Sequence, residues 1–418
     1  IKKEEIMNLS SRVKAAQESV TLSVNDKINE LSKSVKHIYN LTAGQLPFKP
    51  SSEFIKVISG QLNFLKSYQY SPIAGFPDLQ SKFINYVEKK RKIDLKNSEV
   101  EFDCVISNGS KHTLYNILGA LLNPSDEVIL LTPYWVSYPE MIKFWGGIPK
   151  IVKSNAFDAF TPHIEEIKKA ISDKTKAIII NSPNNPAGIH YSDEWMKEFA
   201  EFLKEFPDLI VISDEVYSEI SYFDPAPTYF YQHDTSLLKQ TVIVDGISKS
   251  FACTGLRIGF CIADKVLTDA IAKLQSQTTS GPNSLVQKSL IEFDFNLLDN
   301  FFDPVKIQLR ECAQVVRQTF REANLAKCWY QTTSGFYYFV EFSRMPIFEK
   351  YKSRDESSDE NFDWSGEIVR DILDETGVAL VPGAAFGFPN SARMSMTIEI
   401  APFQEAMIKL IKYLATKS

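Results

Sequence analysis

The sequence predicts an α/β fold in which a mostly parallel sheet is flanked by helices. Short apolar runs without polar alternation recur through the middle of the chain, and such runs are typical of strands that are covered on both faces. Amphipathic segments between several of these runs have the pattern of crossover helices. With 418 residues and 44% hydrophobic content, the chain can bury a large core.

Six apolar runs mark the predicted strands. They comprise residues 104–106, 128–131, 177–180, 209–212, 242–244 and 258–263. Between the first two runs, one buried helix face is predicted by aliphatic residues at i, i+3, i+4, i+7 and i+8, namely Leu114, Ile117, Leu118, Leu121 and Leu122. The breaker cluster at residues 123–126 should end this helix.

The two ends of the chain differ in character from its middle. Residues 1–49 have a helix-like periodicity, and we expect them to form an arm and part of a smaller α+β domain, with residues 50–300 as the large domain. Residues 301–418 should supply the rest of the small domain, with a charged helical stretch followed by a strand-like run at 336–342. The polar run 350–363 is predicted to be a mobile surface loop, with a functional lid as the alternative.

Charge and composition exclude several classes of protein. Lys and Arg number 46 and Asp and Glu number 52, so the net charge of −6 offers no basic surface for nucleic acid. The first twenty residues are charged, unlike a secretory signal, and no apolar run approaches the roughly 18 residues that span a membrane. The five cysteines are widely spaced and the histidines are scattered, which favours neither disulfides nor a metal site. We therefore expect buried thiols in a soluble, cytoplasmic protein without nucleic-acid or membrane partners.

Polar and small residues follow the predicted strands at the positions where ligands collect in open α/β sheets. The turn at residues 107–111 offers free amides, a serine and a lysine to a phosphate, unless it is only a tight connection. Residues 181–188 contain two prolines that fix a loop and aim an amide side chain outward, with a rigid turn as the alternative. Asp214 ends another strand, three residues before Tyr217, and a helix cap is its alternative role.

The most informative segment follows the strand predicted at residues 242–244. Lys249 lies there among small residues, and Arg257 comes eight positions later. A free lysine is normally protonated and inert because its reference pKa is about 10.4, whereas a lysine linked to an aldehyde cofactor is an exchangeable covalent anchor. The pair therefore indicates an amine nucleophile beside a phosphate clamp.

Taken in this order, these segments make the chain resemble the pyridoxal-phosphate-dependent aminotransferases of fold type I, class I, and in particular the bacterial gamma subgroup of aspartate aminotransferases. The resemblance runs from about Leu9 to the carboxy terminus. Its motifs are LTAG at 41–44, residues 70–79, PYWVSYP at 133–139, SPNNPAG at 182–188, DEVY at 214–217, GISKSFACTGLRIG at 246–259, and VPG at 381–383 with Arg393.

The resemblance implies a catalytic set of Lys249, Asp214 and Tyr217 around pyridoxal 5'-phosphate. Lys249 would hold the cofactor covalently and, once freed by the substrate amine, would move the proton at the substrate's Cα. Asp214 would pair with the pyridine nitrogen, while Tyr217 and Asn185 would bind the ring's 3-oxygen. Trp135 would stack on the ring face.

Other matching residues concern the phosphate, the substrate and a partner subunit. The implied phosphate ligands are Gly109, Ser110 and Arg257. The implied substrate-binding residues are Gly44, Lys111, Trp135, Asn185 and Arg393. Arg393 would grip the α-carboxylate as a bidentate fork. Tyr70 would reach the cofactor phosphate of the partner subunit, so a homodimer with shared active sites is implied.

Substrate choice depends on Lys111, which in this subgroup contacts the distal carboxylate of a dicarboxylic substrate. A cation in the first turn of a helix opposes the helix dipole, so its position suggests a role other than helix stability. We therefore expect ping-pong transamination of aspartate and 2-oxoglutarate to oxaloacetate and glutamate.

Other functions remain open on the same fold. An aminotransferase for prephenate or aromatic amino acids is the first alternative, and a lyase that shares Lys249 is another. Gln45-Leu46-Pro47 replaces the acidic residue, Pro and Asp that the family commonly has, so the substrate range is open. A non-catalytic sensor of pyridoxal phosphate or an amino acid is disfavoured because the catalytic set is complete.

Overall fold

The computed structural model describes residues 9–16, 37–98, 100–353 and 362–416. The strands of these residues are β1 Tyr39–Asn40, β2 Phe102–Ser107, β3 Glu127–Leu131, β4 Ile148–Val152, β5 Thr175–Asn181, β6 Ile210–Asp214, β7 Thr241–Gly246, β8 Gly259–Asp264, β9 Tyr337–Glu341, β10 Val378–Ala379, β11 Val381–Pro382 and β12 Ser391–Ser395.

The α-helices of the described residues lie between and around these strands. They are α1 Ser11–Ala15, α2 Ser52–Gln61, α3 Pro77–Arg91, α4 Ser110–Leu121, α5 Tyr138–Phe144, α6 Ile164–Ala170, α7 Asp193–Leu203, α8 Phe230–His233, α9 Ile247–Ser250, α10 Lys265–Ser276, α11 Ser284–Glu292, α12 Leu298–Glu322, α13 Phe348–Lys352, α14 Ser365–Thr376 and α15 Ile400–Leu414. Short 3-10 helices comprise Leu65–Tyr68, Thr235–Gln240, Thr254–Leu256, Phe295–Leu297, Ala326–Cys328 and Gly383–Phe386.

The predicted α/β fold is confirmed. A seven-stranded sheet has the order β2-β8-β7-β6-β5-β3-β4, in which β8 is antiparallel to both of its neighbours and the other pairs are parallel. Successive residues of the predicted strands pack into two different apolar clusters, for example Ile178 and Ile180 in one and Ala177 and Ile179 in the other. Both faces of the sheet are therefore covered, which explains the unbroken apolar runs.

All six predicted strands belong to this sheet, and β4 is the strand that the sequence pattern did not reveal. It lies at the sheet edge beside β3, where Ile148 and Ile151 remain partly exposed and Pro149 and Lys150 interrupt the apolar run. An edge strand needs fewer apolar residues than a central one, so its sequence carries a weaker signal.

A second set of strands lies outside this sheet. Strands β11, β12 and β9 form an antiparallel sheet, and β1 pairs in parallel with β10. Residues 39–40 therefore contact residues 378–379, although more than 300 positions separate them in the chain. The predicted domain boundary after residue 300 lies within α12, a continuous helix that also packs against α15.

Several local predictions can be compared with the described residues. The helix predicted from Leu114 onward is α4, and its stripe is buried at Leu114, Ile117 and Leu118. The last two predicted positions, Leu121 and Leu122, are only half-buried, and Leu122 follows the last residue of the helix. The polar loop predicted from residue 350 was placed too early, because residues 350–352 complete α13, where Tyr351 is buried and donates a 2.7 Å hydrogen bond to Asp371. Residues 354–361 of the predicted loop lie outside the described residues. So do residues 17–36 of the predicted amino-terminal helical segment.

The cysteines are free thiols. Four are buried, as predicted, whereas Cys328, the last residue of a short 3-10 helix, is half-buried.

Candidate active site

A cavity of ≈ 660 Å³ opens at the sheet edge where β5, β6 and β7 end. Most of the predicted site residues line it: Gly44, Ser110, Lys111, Trp135, Asn185, Asp214, Tyr217, Lys249, Arg257 and Arg393. Gly109 is not on the wall but lies directly behind it, against Arg257. Tyr70 is outside the cavity.

Lys249 lies in the one-turn helix α9, directly after β7. Its Nζ donates a hydrogen bond to the carbonyl oxygen of Gly44 and lies 5.7 Å from the ring centroid of Tyr217. Burial lowers the pKa of Lys249 to about 8, and the guanidinium groups of Arg393 and Arg257 act in the same direction. An appreciable fraction of the amine is therefore unprotonated just above neutral pH, as a nucleophile requires.

Asp214 is the last residue of β6, and its side chain is buried. Tyr138 Oη donates a 2.5 Å hydrogen bond to Asp214 Oδ2, and Asn181 Nδ2 donates to the backbone oxygen of Asp214 at 3.0 Å. Burial raises the pKa of Asp214 to about 6, although the Tyr138 bond acts in the opposite direction. Burial, and then the Asp214 charge, raise the pKa of Tyr138 well above its ordinary value, so its hydroxyl remains a donor.

Asn185 connects the loop after β5 to two other predicted site residues. Its Nδ2 donates to Tyr217 Oη at 3.3 Å, and its Oδ1 accepts from Arg393 Nη1 at 3.2 Å. Its backbone nitrogen donates to Asn181 Oδ1 at 2.9 Å, which holds the loop against the end of the strand. Tyr217 Oη donates in turn to Tyr337 Oη at 3.4 Å. A continuous polar chain therefore joins three segments that are distant in sequence.

One end of the cavity is suited to an anion. Helix α4 begins at Ser110, and Gly109 precedes it with φ 86°. A Cβ at Gly109 would lie 2.3 Å from Arg257 Nη2, so only glycine leaves room for the guanidinium beside the helix start. Arg257 Nη1 is held by the carbonyl oxygen of Thr254 at 2.9 Å. A helix amino terminus, a serine hydroxyl and a guanidinium together form a site that can bind a phosphate.

Arg393 is a buried cation without a salt bridge to any carboxylate of the described residues. It lies in β12, and its Nη2 donates to the backbone oxygen of Thr42 at 3.0 Å. Its Nε is buried and has no hydrogen-bond partner in the part of the chain that the structure describes. Because an uncompensated buried charge is costly, this guanidinium is suited to an anionic ligand.

Lys111 is a second cation of the cavity wall. Its Nζ lies 4.9 Å from the ring centroid of Trp135 and forms no ion pair with a described carboxylate. Burial, and then the Arg257 charge, lower the pKa of Lys111. The negative charge of a carboxylate entering the cavity would raise this pKa.

Tyr70 is the predicted site residue that the structure separates from the others. Its side chain is 95% exposed, and it closely follows the exposed turn Leu65–Tyr68. Tyr70 therefore takes no part in its own chain's cavity.

Sequence reasoning missed three contacts of the site. Tyr138 stands within the PYWVSYP motif, three residues after Trp135, so the motif contained a signal for it. Tyr337, whose ring centroid is 4.4 Å from Arg393 Cζ, was predicted only as part of a strand. Thr42 acts through its backbone oxygen, which leaves no side-chain signature in the sequence.

Within residues 9–16, 37–98, 100–353 and 362–416, no group of three or more His, Cys, Asp or Glu side chains could hold a metal ion. Across those same ranges, the helices are too short or too polar to cross a bilayer.

Comparisons with known proteins show the family of the chain. The family model for aminotransferase class I and II matches residues 36–410. An aspartate aminotransferase of Bacillus subtilis is 30% identical over 99% of this chain and 100% of that protein. A probable aspartate/prephenate aminotransferase of Rickettsia felis is 31% identical over 96% of this chain and 95% of that protein. The structure of aspartate aminotransferase from Thermus thermophilus with maleate is similar, with a TM-score of 0.84 and 28% identity over 98% of this chain and 100% of that one. The chain is therefore an enzyme that belongs to the class I and II aminotransferase family.

Proposed function

We propose that this aminotransferase binds pyridoxal 5'-phosphate and transfers the amino group of aspartate to 2-oxoglutarate. The proposal rests on one cavity that contains Lys249, Arg393 and Lys111. The pKa of Lys249 is about 8, and neither Arg393 nor Lys111 forms an ion pair with a described carboxylate. An amine nucleophile supports covalent binding of an aldehyde, and the two cations support a substrate with two carboxylates.

The residues of the cavity fit the cofactor at each of its polar groups. Ser110 and Arg257 would hold the phosphate beside the start of α4, where Gly109 leaves the required space. Asp214 would face the ring nitrogen, and Tyr217 with Asn185 would face the phenolic oxygen. Trp135 would cover one ring face. When bound, pyridoxal phosphate supplies an electron sink for negative charge that develops at the substrate's Cα.

Lys249 performs the proton transfer. Its Nζ takes the proton from the substrate's Cα, which requires an unprotonated amine, and the lowered pKa supplies one near neutral pH. Asp214 would pair with the ring nitrogen, and Tyr138 holds its Oδ2 in place for that role. In the cofactor-free chain, the Gly44 carbonyl oxygen orients the free amine of Lys249.

Two basic side chains orient the substrate. Arg393 binds the α-carboxylate through its guanidinium, while the Thr42 oxygen and Asn185 hold that guanidinium in place. Lys111 binds the distal carboxylate. Aspartate then leaves as oxaloacetate, and 2-oxoglutarate enters the same site and leaves as glutamate.

A second candidate substrate is prephenate. The Rickettsia felis relative, 31% identical, is named a probable aspartate/prephenate aminotransferase. Prephenate also carries two carboxylates, so the same pair of cations could receive it.

The first test uses the cofactor-loaded protein and no keto acid. Aspartate should bleach the absorbance of the bound aldehyde, because the first half-reaction consumes it, while phenylalanine should not. Bleaching by phenylalanine alone would overturn the dicarboxylate proposal. The protein that aspartate has bleached is then supplied with prephenate or with 2-oxoglutarate. The rate at which the absorbance returns shows which of the two is the better amino acceptor.

We also propose a homodimer in which Tyr70 reaches the partner's phosphate site. Support comes from an exposed apolar surface that comprises Leu62, Phe64, Leu65, Tyr68 and Tyr70. Exposed patches of this kind commonly mark an interface. Leu65→Lys should give a monomer in sedimentation with weaker cofactor binding, and a wild-type monomer would overturn the proposal.

Two coarser features complete the proposal. Residues 50–300 would form the cofactor-binding domain, and residues 1–49 with 301–418 the small domain; the β1–β10 pair supports grouping the two ends. The free thiols support a reducing compartment, the cytoplasm.

A further inference from the structure

A buried cluster of charged side chains lies behind the active-site cavity. It consists of Arg91, Glu215 and Asp245, whose exposed fractions are 4%, 0% and 2%. Arg91 Nε lies 2.7 Å from Glu215 Oε2, and Arg91 Nη2 lies 3.5 Å from Asp245 Oδ2. None of the three lines the cavity. Replacing such an ion cluster by apolar residues is often neutral or stabilising, so stability alone does not account for it.

Each carboxylate of the cluster lies within four residues of a site residue in the sequence. Glu215 directly follows Asp214, and its backbone nitrogen donates to the backbone oxygen of Val244 in β7 at 2.8 Å. Asp245 lies four residues before Lys249, and its Oδ1 accepts the Gly246 backbone N–H at 2.7 Å, where α9 begins. Arg91 therefore links the end of β6, which carries Asp214, to the end of β7, which directly precedes the helix that carries Lys249.

Asp245 also contacts two other segments of the site. Its backbone oxygen accepts from Ser110 Oγ at 3.1 Å, at the start of the helix that faces the phosphate position. Its Oδ2 accepts from Ser218 Oγ at 3.3 Å, and Ser218 directly follows Tyr217. A displacement of Asp245 would thus be transmitted to the segments that carry Ser110, Tyr217 and Lys249.

The second carboxylate is held from the opposite side. Glu215 Oε1 accepts hydrogen bonds from Ser213 Oγ at 2.8 Å and Tyr231 Oη at 2.7 Å. Arg91 itself is confined by the ring of Tyr229, 4.8 Å from its Cζ. The guanidinium is thereby fixed in one orientation, with one nitrogen toward each carboxylate. A lysine would keep the charge, but a single ammonium lacks the rigid fork that reaches both.

We propose that Arg91 is a positioning residue, which through Glu215 and Asp245 sets the separation between Asp214 and Lys249. This inference rests on the proposed function, because the separation matters only if both side chains act on one ligand. Arg91 touches no substrate atom. Its effect is to hold the Asp214 carboxylate and the Lys249 amine at a fixed separation. Small displacements of reacting groups lower reaction rates steeply.

The experiment compares Arg91→Lys with Lys90→Met in the cofactor-loaded enzyme. Lys90 is the matched control, since it is the preceding residue and pairs with Glu219 and Asp299 but contacts no residue of the cavity. For Arg91→Lys we expect kcat to fall by ~10- to 100-fold with little change in KM. We also expect the pH midpoint of the cofactor's absorbance change to move, because that midpoint reports the environment of Lys249. Lys90→Met should change neither.

A second variant and a second readout guard against a folding failure. In Glu215→Gln, the amide oxygen can still accept hydrogen bonds from Ser213 and Tyr231, but the charge that Arg91 binds is removed. This variant should therefore show the same fall in kcat and the same shift in the pH midpoint of the absorbance change. Crystal structures without cofactor should show a changed separation between Asp214 and Lys249 in whichever variant folds. Lower unfolding midpoints with unchanged kcat, absorbance and separation would overturn the inference. A wild-type enzyme that binds the cofactor but does not react with aspartate would overturn only the proposed substrate. The pH midpoint of the cofactor's absorbance and the separation between Asp214 and Lys249 would still test the role of Arg91.

Discussion

Asp214 is held in a state that reduces the stability of the cofactor-free protein. Its pKa is about 6 in the folded chain, against an ordinary value of 3.8. One pKa unit corresponds to about 1.4 kcal/mol, so the charged carboxylate costs the folded state about 3 kcal/mol. Because the folded-state value is the higher one, the folded chain binds more protons between the two values. Stability therefore falls as the pH rises from about 4 to about 6, and the loss persists above pH 6.

Asp214→Asn removes this charge, while its amide oxygen can still accept the hydrogen bond from Tyr138. At pH 8 we expect the cofactor-free variant to be more stable than the wild type by about 3 kcal/mol, and at pH 5 by about half as much. The same variant should lose transamination, because a neutral amide does not keep the ring nitrogen protonated. Function and stability therefore make opposite demands on this position.

Urea unfolding of the two cofactor-free proteins at several pH values measures the difference. Asp303→Asn serves as the control, since Asp303 is exposed on α12 and should give a difference near zero at every pH. A variant that is no more stable than the wild type at pH 8 would refute the reasoning. So would a gain of equal size at pH 5 and pH 8.

The other predictions concern turnover and specificity. Lys249→Ala should abolish transamination, and near-normal turnover in a coupled assay would contradict the role of its amine. Lys111→Ala should raise the KM for aspartate by ~10- to 100-fold, the worth of a charge-assisted hydrogen bond, and the KM for phenylalanine far less; equal changes would remove Lys111 from the specificity argument. Tyr138→Phe removes a bond to the charged form of Asp214, so the acid limb of the kcat/KM profile should move up by about one to two pH units, and an unmoved limb would contradict that contact.

The sequence was most informative where the chemistry resides in single side chains at strand ends. Lys249, Asp214 and Asn185 each follow an apolar run, and the parallel sheet places the ends of those runs at one edge. The register then aligns Asn181 with Asp214, and Asp214 with Val244, so the predicted neighbours in the site are also neighbours in the ladder. The positions of the strands, and the polar residues that follow them, were sufficient to predict that these residues are neighbours.

Contacts that arise only from tertiary packing were not accessible in this way. Arg393 approaches the Thr42 oxygen across 351 positions of chain, and Arg91 approaches Glu215 across 124. Neither partner has a periodic or local pattern that points to the other. Arg91 moreover ends a helix whose last turn is basic, and that feature alone is explained by the helix dipole. Its burial could be learned only from the fold.

The unusual states of the site's charged groups have a common consequence. In the cofactor-free chain, the pKa of Lys249 is lowered, and Arg393 is buried without an acidic partner among the described residues. Burial, and then the nearby Arg257 charge, also lower the pKa of Lys111. An anionic ligand opposes all three costs at once, although the net charge of the whole chain is −6 and would repel it at long range. The attraction must therefore be local, and binding of the proposed cofactor would stabilise the fold. At a free cofactor concentration of 100 times Kd the gain for a one-site binder is about 2.7 kcal/mol, similar in size to the cost of burying the Asp214 carboxylate.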